Sequence, residues 1–238
     1  MLAEALSYPR DDEDPTRPFL VGSLILFSSF ILGLTIIPLY GYLLEVLDRG
    51  RTGQRGLPEF GDWETLIMDG LKVFVVNLIY TGIPTIVLSV VGGLGFFLFL
   101  IGGITLQNGN GGGGGVFLLI LLVVGLLSLV AFVLLLVATL MLPAALARMR
   151  VEDDLRAALQ VREVFEVAKN GEYIVAVLLA FVVGFGFSLV GGLLLIVLIG
   201  IPILLYGFMI VFHLYGQGYA RAVEEMERNP PGSTSGSD

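Results

Sequence analysis

Long runs of apolar residues dominate the chain, and short polar connectors separate them. The runs cover residues 19–44, 73–106, 116–147, 173–198 and 201–219. A helix that crosses the hydrocarbon core of a bilayer needs about 20 residues of this kind. The pattern therefore predicts an all-α, polytopic transmembrane helix bundle of about five spans.

Two of the polar connectors carry apolar residues at helical spacing. In 62–72, Asp62 is placed to cap a helix in which Trp63 and Leu66 begin an apolar face. In 152–170 a similar apolar face lies opposite the charged positions. Both connectors are predicted to form amphipathic helices on the cytoplasmic interface of the membrane. They either cover the bundle or dock a protein partner, and the sequence leaves both interpretations open.

The chain divides into three parts: an interfacial N-terminal segment, a single transmembrane domain and a polar tail that we expect to be largely disordered. These are residues 1–18, 19–220 and 221–238. Within the transmembrane domain, 19–106 and 116–198 share the order span, amphipathic helix, span, which is the arrangement of a parallel repeat. The two halves share little residue identity. The glycine-rich segment 107–115 would join them as a flexible linker.

The basic residues fall mainly on one side of the predicted bundle. With five spans, the connectors 48–72 and 148–172 share a side with the tail, and together they hold eleven of the thirteen lysines and arginines. The positive-inside rule then places the C-terminus in the cytoplasm and the N-terminus outside. Leu2, Ala5 and Leu6 share a helical face, so the N-terminal segment could instead lie in the interface.

Composition agrees with a protein of the cell membrane and excludes several kinds of chemistry. Hydrophobic residues make up 56% of the chain and charged residues 14%, which is far from the composition of a soluble domain. With no cysteine and one histidine, the chain cannot form disulfides, thiolate metal sites or a two-histidine zinc site. No catalytic set, cofactor site or metal site is expected, and no surface is basic enough to bind nucleic acid.

The charge balance indicates a habitat. The formal net charge is −8, and only two of the thirteen basic residues are lysines. An acidic, lysine-poor protein is typical of concentrated salt, where screening is strong. We therefore expect a halophilic archaeon as the source, with arginine-biased codon usage as the alternative explanation.

A stripe of weakly polar residues follows the second predicted span. Asn77, Thr81, Thr85 and Ser89 recur at four-residue spacing and would share one face of a continuous helix. Small and weakly polar residues commonly form packing seams between membrane helices, and that is the simpler interpretation. The alternative is a polar path through the membrane.

Four residues at the predicted membrane boundary are candidates for interfacial or lipid contacts. They are Trp63 on the first amphipathic connector and His213, Gln217 and Arg221 on one face of the last span. An ionisable residue inside a membrane is by default a candidate for function, so His213 could also act as a proton relay. Its expected depth near the headgroups favours a contact at the interface.

Six short motifs resemble a known family. They are ALSYP at residues 5–9, GYL at 41–43, LPEFGDW at 57–63, DGLK at 69–72, LPAALAR at 142–148 and GEY at 171–173. Together they resemble the domain of unknown function 4013 family of prokaryotic, mainly archaeal, multi-pass membrane proteins. The resemblance covers nearly the whole chain apart from the tail. It implies a multi-span bundle and carries over no activity and no catalytic residue.

These observations lead to two expected functions. The first is a non-enzymatic membrane-organising or accessory subunit, in which 62–72 and 152–170 engage a cytoplasmic or membrane protein partner. The alternative is a small-solute or lipid transporter that uses the polar stripe of the second span. Either protein would sit in the lipid bilayer of the cell membrane.

Overall fold

The computed structural model describes residues 1–10, 15–107 and 114–229. Within these ranges the chain is helical and contains no strand. The α-helices are α1 (Leu2–Ser7), α2 (Thr16–Leu32), α3 (Ile36–Thr52), α4 (Trp63–Asn77), α5 (Ile83–Gln107), α6 (Gly114–Glu152), α7 (Leu155–Leu159), α8 (Val161–Ala168), α9 (Gly171–Leu194) and α10 (Gly200–Arg228). The predicted all-α fold is confirmed.

Among the described residues, four helical segments are long and apolar enough to cross a membrane. They are Trp63–Gly102, Gly114–Glu152, Gly171–Leu194 and Gly200–Arg228. They correspond to the last four of the five predicted apolar runs. Large apolar side chains are widely exposed along these helices, as expected of a protein whose outer surface faces lipid.

The chain folds into two compact units. Unit 1 comprises residues 1–76 and 143–238, and unit 2 comprises residues 77–142. The division falls inside both of the proposed repeats. Two predictions lie partly outside the described residues: the flexible linker at 108–113 and the disordered tail at 230–238.

The first apolar run is not one continuous helix. It breaks after Leu32, where Gly33 adopts a φ of +62°, and α3 starts again at Ile36. The break places Pro38 in the first turn of α3, where its missing N–H has no intrahelical partner to lose. Pro38 therefore fits the start of α3, and hydropathy alone does not reveal the discontinuity before it.

The segments that flank α2 and α3 meet at one end of unit 1. Glu4 and Tyr8, which precede α2, line the same cavity as Gly53 and Arg55, which follow α3. A single crossing would separate these segments by the thickness of the membrane, so α2 and α3 form a helical hairpin. The prediction that the N-terminus lies on the side opposite the connector after α3 is therefore wrong.

Close contacts between backbones hold the helices of unit 1 together. A Cβ atom on Gly41 of α3 would collide with the carbonyl of Leu66 on α4, and one on Gly70 would collide with the carbonyl of Ile37. Glycine at both positions allows α3 and α4 to cross in contact, as small residues do in membrane proteins. Around this crossing lies a core of buried side chains from α2, α3, the 53–62 connector, α4 and α10: Ile25, Leu26, Leu39, Tyr42, Leu43, Val46, Leu57, Phe60, Leu66, Ile201, Leu205 and Met209.

The predicted amphipathic connectors are both helical, with different boundaries. Asp62 caps α4 as predicted, because its carboxylate accepts hydrogen bonds from the backbone N–H and the hydroxyl of Thr65. Residues 62–72 are continuous with a membrane-spanning helix. Residues 152–170 form two short helices, α7 and α8, because Gln160 takes non-helical dihedral angles (φ −75°, ψ 72°). The single helix that the periodicity suggests there is absent.

Candidate functional site

The N-terminal helix covers the only histidine of the chain. Tyr8, at the end of α1, stacks on the ring of His213 with centroids 4.0 Å apart and an interplanar angle of 21°. His213 is 3% exposed, and the hydroxyl of Tyr206 donates a hydrogen bond to the carbonyl of Leu6. The N-terminal helix α1 is therefore held against α10 by these two contacts.

A polar chain extends from this stack to the carboxylate of Glu4. The Nε2 of Gln217 donates to Oε2 of Glu4 at 3.0 Å and lies 3.4 Å from Nε2 of His213. The negative charge of Glu4 fixes the orientation of the amide, since the opposite orientation would bring two acceptors together. The other amide atom, Oε1 of Gln217, is buried and has no hydrogen-bond partner among the described residues.

Two glycines bring α3 against α10 beside this polar chain. A Cβ on Gly50 would collide with the carbonyl of His213, and one on Gly216 would collide with the carbonyl of Leu47. Because the two backbones touch here, the connector that follows α3 emerges directly beside Gln217. This local packing explains why 53–55 faces the N-terminal helix.

The result is a polar cavity of about 350 Å³, which we call the N-terminal cavity. It is lined by Glu4, Ser7, Tyr8, Gly53, Gln54, Arg55, His213 and Gln217. Among the lining residues, Glu4 carries a carboxylate and Arg55 a guanidinium. No cluster of three or more potential metal ligands occurs among the described residues.

The structure brings together two of the four predicted interfacial residues. His213 and Gln217 share the N-terminal cavity, but His213 is covered by Tyr8 and its ring does not face lipid. Arg221 lies further along α10, with Nη1 3.6 Å from the carboxylate of Glu172. Trp63 is 43% exposed at the start of α4, and its ring packs against the ring of Phe60 in the preceding connector.

Sequence reasoning missed the other side of this cavity. Glu4, Tyr8 and Arg55 were not candidates, since they are distant in sequence from Gln217. The apolar face of α1 was visible in the sequence, and Ala5 on that face is indeed buried. Nothing in the sequence indicated which helix this face contacts.

The polar stripe does not keep one face. A π-helical segment at Leu78–Gly82 separates Asn77 from Thr85, and one additional residue turns the following side chains by about 100°. The wider turn lies directly before Pro84, whose ring would otherwise clash with the preceding turn. Thr85 and Ser89 are exposed, and Asn77 and Thr81 are half-buried.

A second cavity, lined by apolar side chains, lies within unit 2. It is a groove of about 360 Å³ lined by Ile83, Pro84, Val87, Val91, Leu127, Val130, Ala131 and Leu134. None of these is a residue of the polar stripe.

Ion pairs join α4 to the C-terminal ends of α3 and α6. Arg150 binds Asp69 at 2.9 Å through Nη1 and lies 3.5 Å from Asp48 through Nε. Lys72 lies 3.2 Å from both Asp69 and Asp153. Half-buried charges need partners of this kind, so the network fixes the connector ends to one another.

A second set of contacts ties α8 to α6. The guanidinium of Arg148 contacts Glu152 at 2.6 Å and Gln160 at 2.9 Å, and it also pairs with Glu163. Apolar Val161 and Phe165 of α8 are exposed. The helix α8 is therefore held at the end of α6 while its apolar side chains Val161 and Phe165 stay exposed.

Comparison with protein-family models matches residues 24–198 to the family described as "Protein of unknown function (DUF4013)". The chain belongs to this family. Comparisons with curated proteins and with solved structures found no match. Most residues that line the N-terminal cavity lie outside the matched DUF4013 segment, among them Glu4, Tyr8, His213 and Gln217.

The motifs that resemble DUF4013 contact one another in unit 1. The ring of Tyr42 stacks on Phe60 at 4.2 Å with an interplanar angle of 4°. Gly41 and Gly70 sit at the crossing of α3 and α4. Residues from three separate motifs therefore form one packed junction, which gives them a structural role.

Proposed function

We propose that this DUF4013 protein is a non-enzymatic membrane-organising or accessory subunit that engages a protein partner through α7 and α8. The observation that carries the proposal is the uncovered apolar face of this region. Leu159, Val161 and Phe165 are exposed on a helix pair held in place by Arg148. A fixed apolar patch bordered by charges is typical of an interaction surface.

The charged residues support a role in assembly over one in chemistry. Asp69 and Arg150 are bound to each other, and Lys72 is shared between two carboxylates. Side chains that are paired in this way stabilise one arrangement of the connectors. A surface of fixed shape loses less entropy when it binds a partner.

The transport alternative has less support. Thr85 and Ser89 are exposed on the outer surface of the helix, and the groove of unit 2 is lined by apolar side chains instead. Exposed small and weakly polar residues on a membrane helix suit contact with another helix. We place the connectors and the C-terminus in the cytoplasm and the protein in the cell membrane, on the basis of the predicted charge asymmetry.

Photo-crosslinking in native membranes tests this proposal. A photoreactive amino acid replaces Val161 on α8 or, as the matched control, Val182 on the exposed face of α9. We expect Val161 to give one discrete protein adduct, reproducible at native expression level, and Val182 to give lipid adducts. The adduct at Val161 should disappear when Arg148→Gln releases α8. Lipid adducts alone at both positions would contradict an accessory role.

A further inference from the structure

We propose that the surface of α7 and α8 binds an acidic segment of its protein partner. Carboxylates of that segment pair with Arg156 and Arg162, and its apolar side chains cover Val161 and Phe165. This inference rests on the proposed function and adds the chemistry of the partner to it. The observation behind it is a pair of exposed arginines without ion-pair partners in the described chain, beside an exposed apolar patch.

The carboxylates between residues 152 and 169 are all engaged within the chain. Each of the five accepts an ion pair or a hydrogen bond: Glu152, Asp153, Asp154, Glu163 and Glu166. The groups that they bind are the side chains of Arg148, Lys72 and Lys169 and the backbone N–H of Arg156. The negative charges of this region therefore already have partners inside the protein.

Two cations of the same region differ from these carboxylates. Arg156 on α7 and Arg162 on α8 are exposed, and neither forms an ion pair with a described residue. Arg162 directly follows Val161 and lies three residues before Phe165, so it borders the apolar patch on the surface of α8. The edge of the patch is therefore positive, although the whole chain carries a formal net charge of −8.

The apolar patch and the two arginines together indicate what the partner presents. Arginine and aromatic residues are enriched where proteins bind each other, and a guanidinium pairs with a carboxylate through two parallel hydrogen bonds. Complementary charges at the rim of an interface steer the encounter and fix the register of the two surfaces. The surface therefore fits a segment in which acidic side chains flank an apolar face.

An anionic lipid surface fits this region less well. Segments that bind such lipids carry clusters of about four to eight lysines and arginines. Between residues 152 and 169, the structure shows two cations without an ion pair and five carboxylates. A negative membrane surface would be repelled by these carboxylates, whereas a small acidic segment can contact the two arginines alone.

Photo-crosslinking from position 161 in native membranes tests the chemistry of the partner. Reversal of both charges, Arg156→Glu with Arg162→Glu, should lower the yield of the protein adduct by at least about fivefold. Replacement of both arginines by glutamine should lower it about threefold. The matched control reverses two exposed arginines elsewhere in unit 1, Arg17→Glu with Arg55→Glu, and should leave the yield unchanged.

Three outcomes would overturn the inference. An adduct that persists in Arg156→Glu with Arg162→Glu would show a partner that does not use the arginines, and the proposed function would stand. An equal loss in the control pair would be an effect of net charge alone. Lipid adducts without a protein adduct in the wild type would remove the proposed function and this inference with it.

An exchange of charges between the two proteins completes the test. Mass spectrometry of the wild-type adduct identifies the partner and its cross-linked residue. Changing the partner's acidic residues beside that residue to lysine should restore the adduct that is lost in Arg156→Glu with Arg162→Glu. Because a misfolded α8 would not regain binding from a change in the partner, restoration also shows that the variant is folded. A cross-linked segment without Asp or Glu, or a failure to restore the adduct, would overturn the inference.

Discussion

The hydroxyl of Tyr173 accepts a hydrogen bond from the backbone N–H of Ala144 at 2.9 Å, directly after Pro143. Proline within a helix disturbs the carbonyl one turn earlier and loosens the hydrogen bonds around it. The helix α6 nevertheless runs unbroken from Gly114 to Glu152. A buried side chain from α9 thus supplies a hydrogen-bond acceptor beside the proline of α6.

Removing this hydroxyl should destabilise unit 1. Because Tyr173 is 1% exposed, Tyr173→Phe leaves a buried N–H without this partner, which costs about 1–3 kcal/mol. Val182→Ala, on the exposed face of the same helix, is the matched control and should change stability by much less. Unfolding in a detergent titration measures both variants. Equal effects of the two substitutions would show that the bond to Ala144 contributes nothing.

The contact between α3 and α10 predicts a strong difference between two glycines. Gly216→Ala places a methyl group against the carbonyl of Leu47 and should destabilise the protein by about 3 kcal/mol. Gly192→Ala on α9 meets open space and should be neutral or slightly stabilising. Chemical unfolding of the two variants side by side checks this. A well-tolerated alanine at 216 would mean that the two backbones are not in contact.

The ion pairs of the connector ends should be unequal in strength. Arg150→Gln leaves Asp69, whose side chain is 13% exposed, without its guanidinium partner, and we expect a loss of about 2 kcal/mol. Lys169→Gln removes an exposed pair with Glu166 and should cost less than about 0.5 kcal/mol. A double-mutant cycle of Arg150→Gln with Asp69→Asn measures the coupling. If the losses of stability of the two single variants simply add in the double variant, Arg150 and Asp69 are not coupled and the ion pair contributes nothing.

The cap of α4 should make a small pH-dependent contribution to stability. The hydrogen bonds from Thr65 lower the pKa of Asp62 below its usual value of 3.8. The carboxylate therefore stabilises the fold fully above 3.8, and this contribution is lost as the pH falls through the lower pKa of the folded state.

Thermal unfolding between pH 2 and pH 6 measures this contribution. The difference in Tm between the wild type and Asp62→Ala should narrow at the acid end. Asp62→Asn keeps a capping oxygen without a titratable group, so its difference from Asp62→Ala should not vary with pH in the same way. A constant difference between the wild type and Asp62→Ala would argue against an ionised cap.

The arrangement of the hairpin predicts which residues share a side of the membrane. Because the chain has no cysteine, single cysteines report their position without background. Cysteines at Ala3, Gln54 and Glu224 should react with an impermeant maleimide from one side, and a cysteine at Leu198, in the turn before α10, from the other. If cysteines at Ala3 and Leu198 are labelled from the same side, residues 19–44 cross the membrane once and do not form a hairpin.

The sequence was sufficient for what depends on local composition and insufficient for contacts between distant segments. Apolar runs predict the spans, and the Asp62 cap follows from its neighbours. The turn at Gly33 is invisible to hydropathy because apolar residues border it on both sides. Gln217 was a candidate from its place on α10, but its partner Glu4 lies 213 residues away. Only the folded structure shows that Glu4 and Gln217 are in contact.

The hairpin of α2 and α3 also sets an order of events during synthesis. Its buried residues Leu39 and Val46 belong to the same core as Met209 of α10, and 147 residues lie between α3 and α10. At about 5–20 residues per second, the ribosome needs roughly 7–30 s to make them. For that time the hairpin has α4 to pack against but not α10. Among the described helices, α10 is therefore the last to be made, and it completes a core that the hairpin begins.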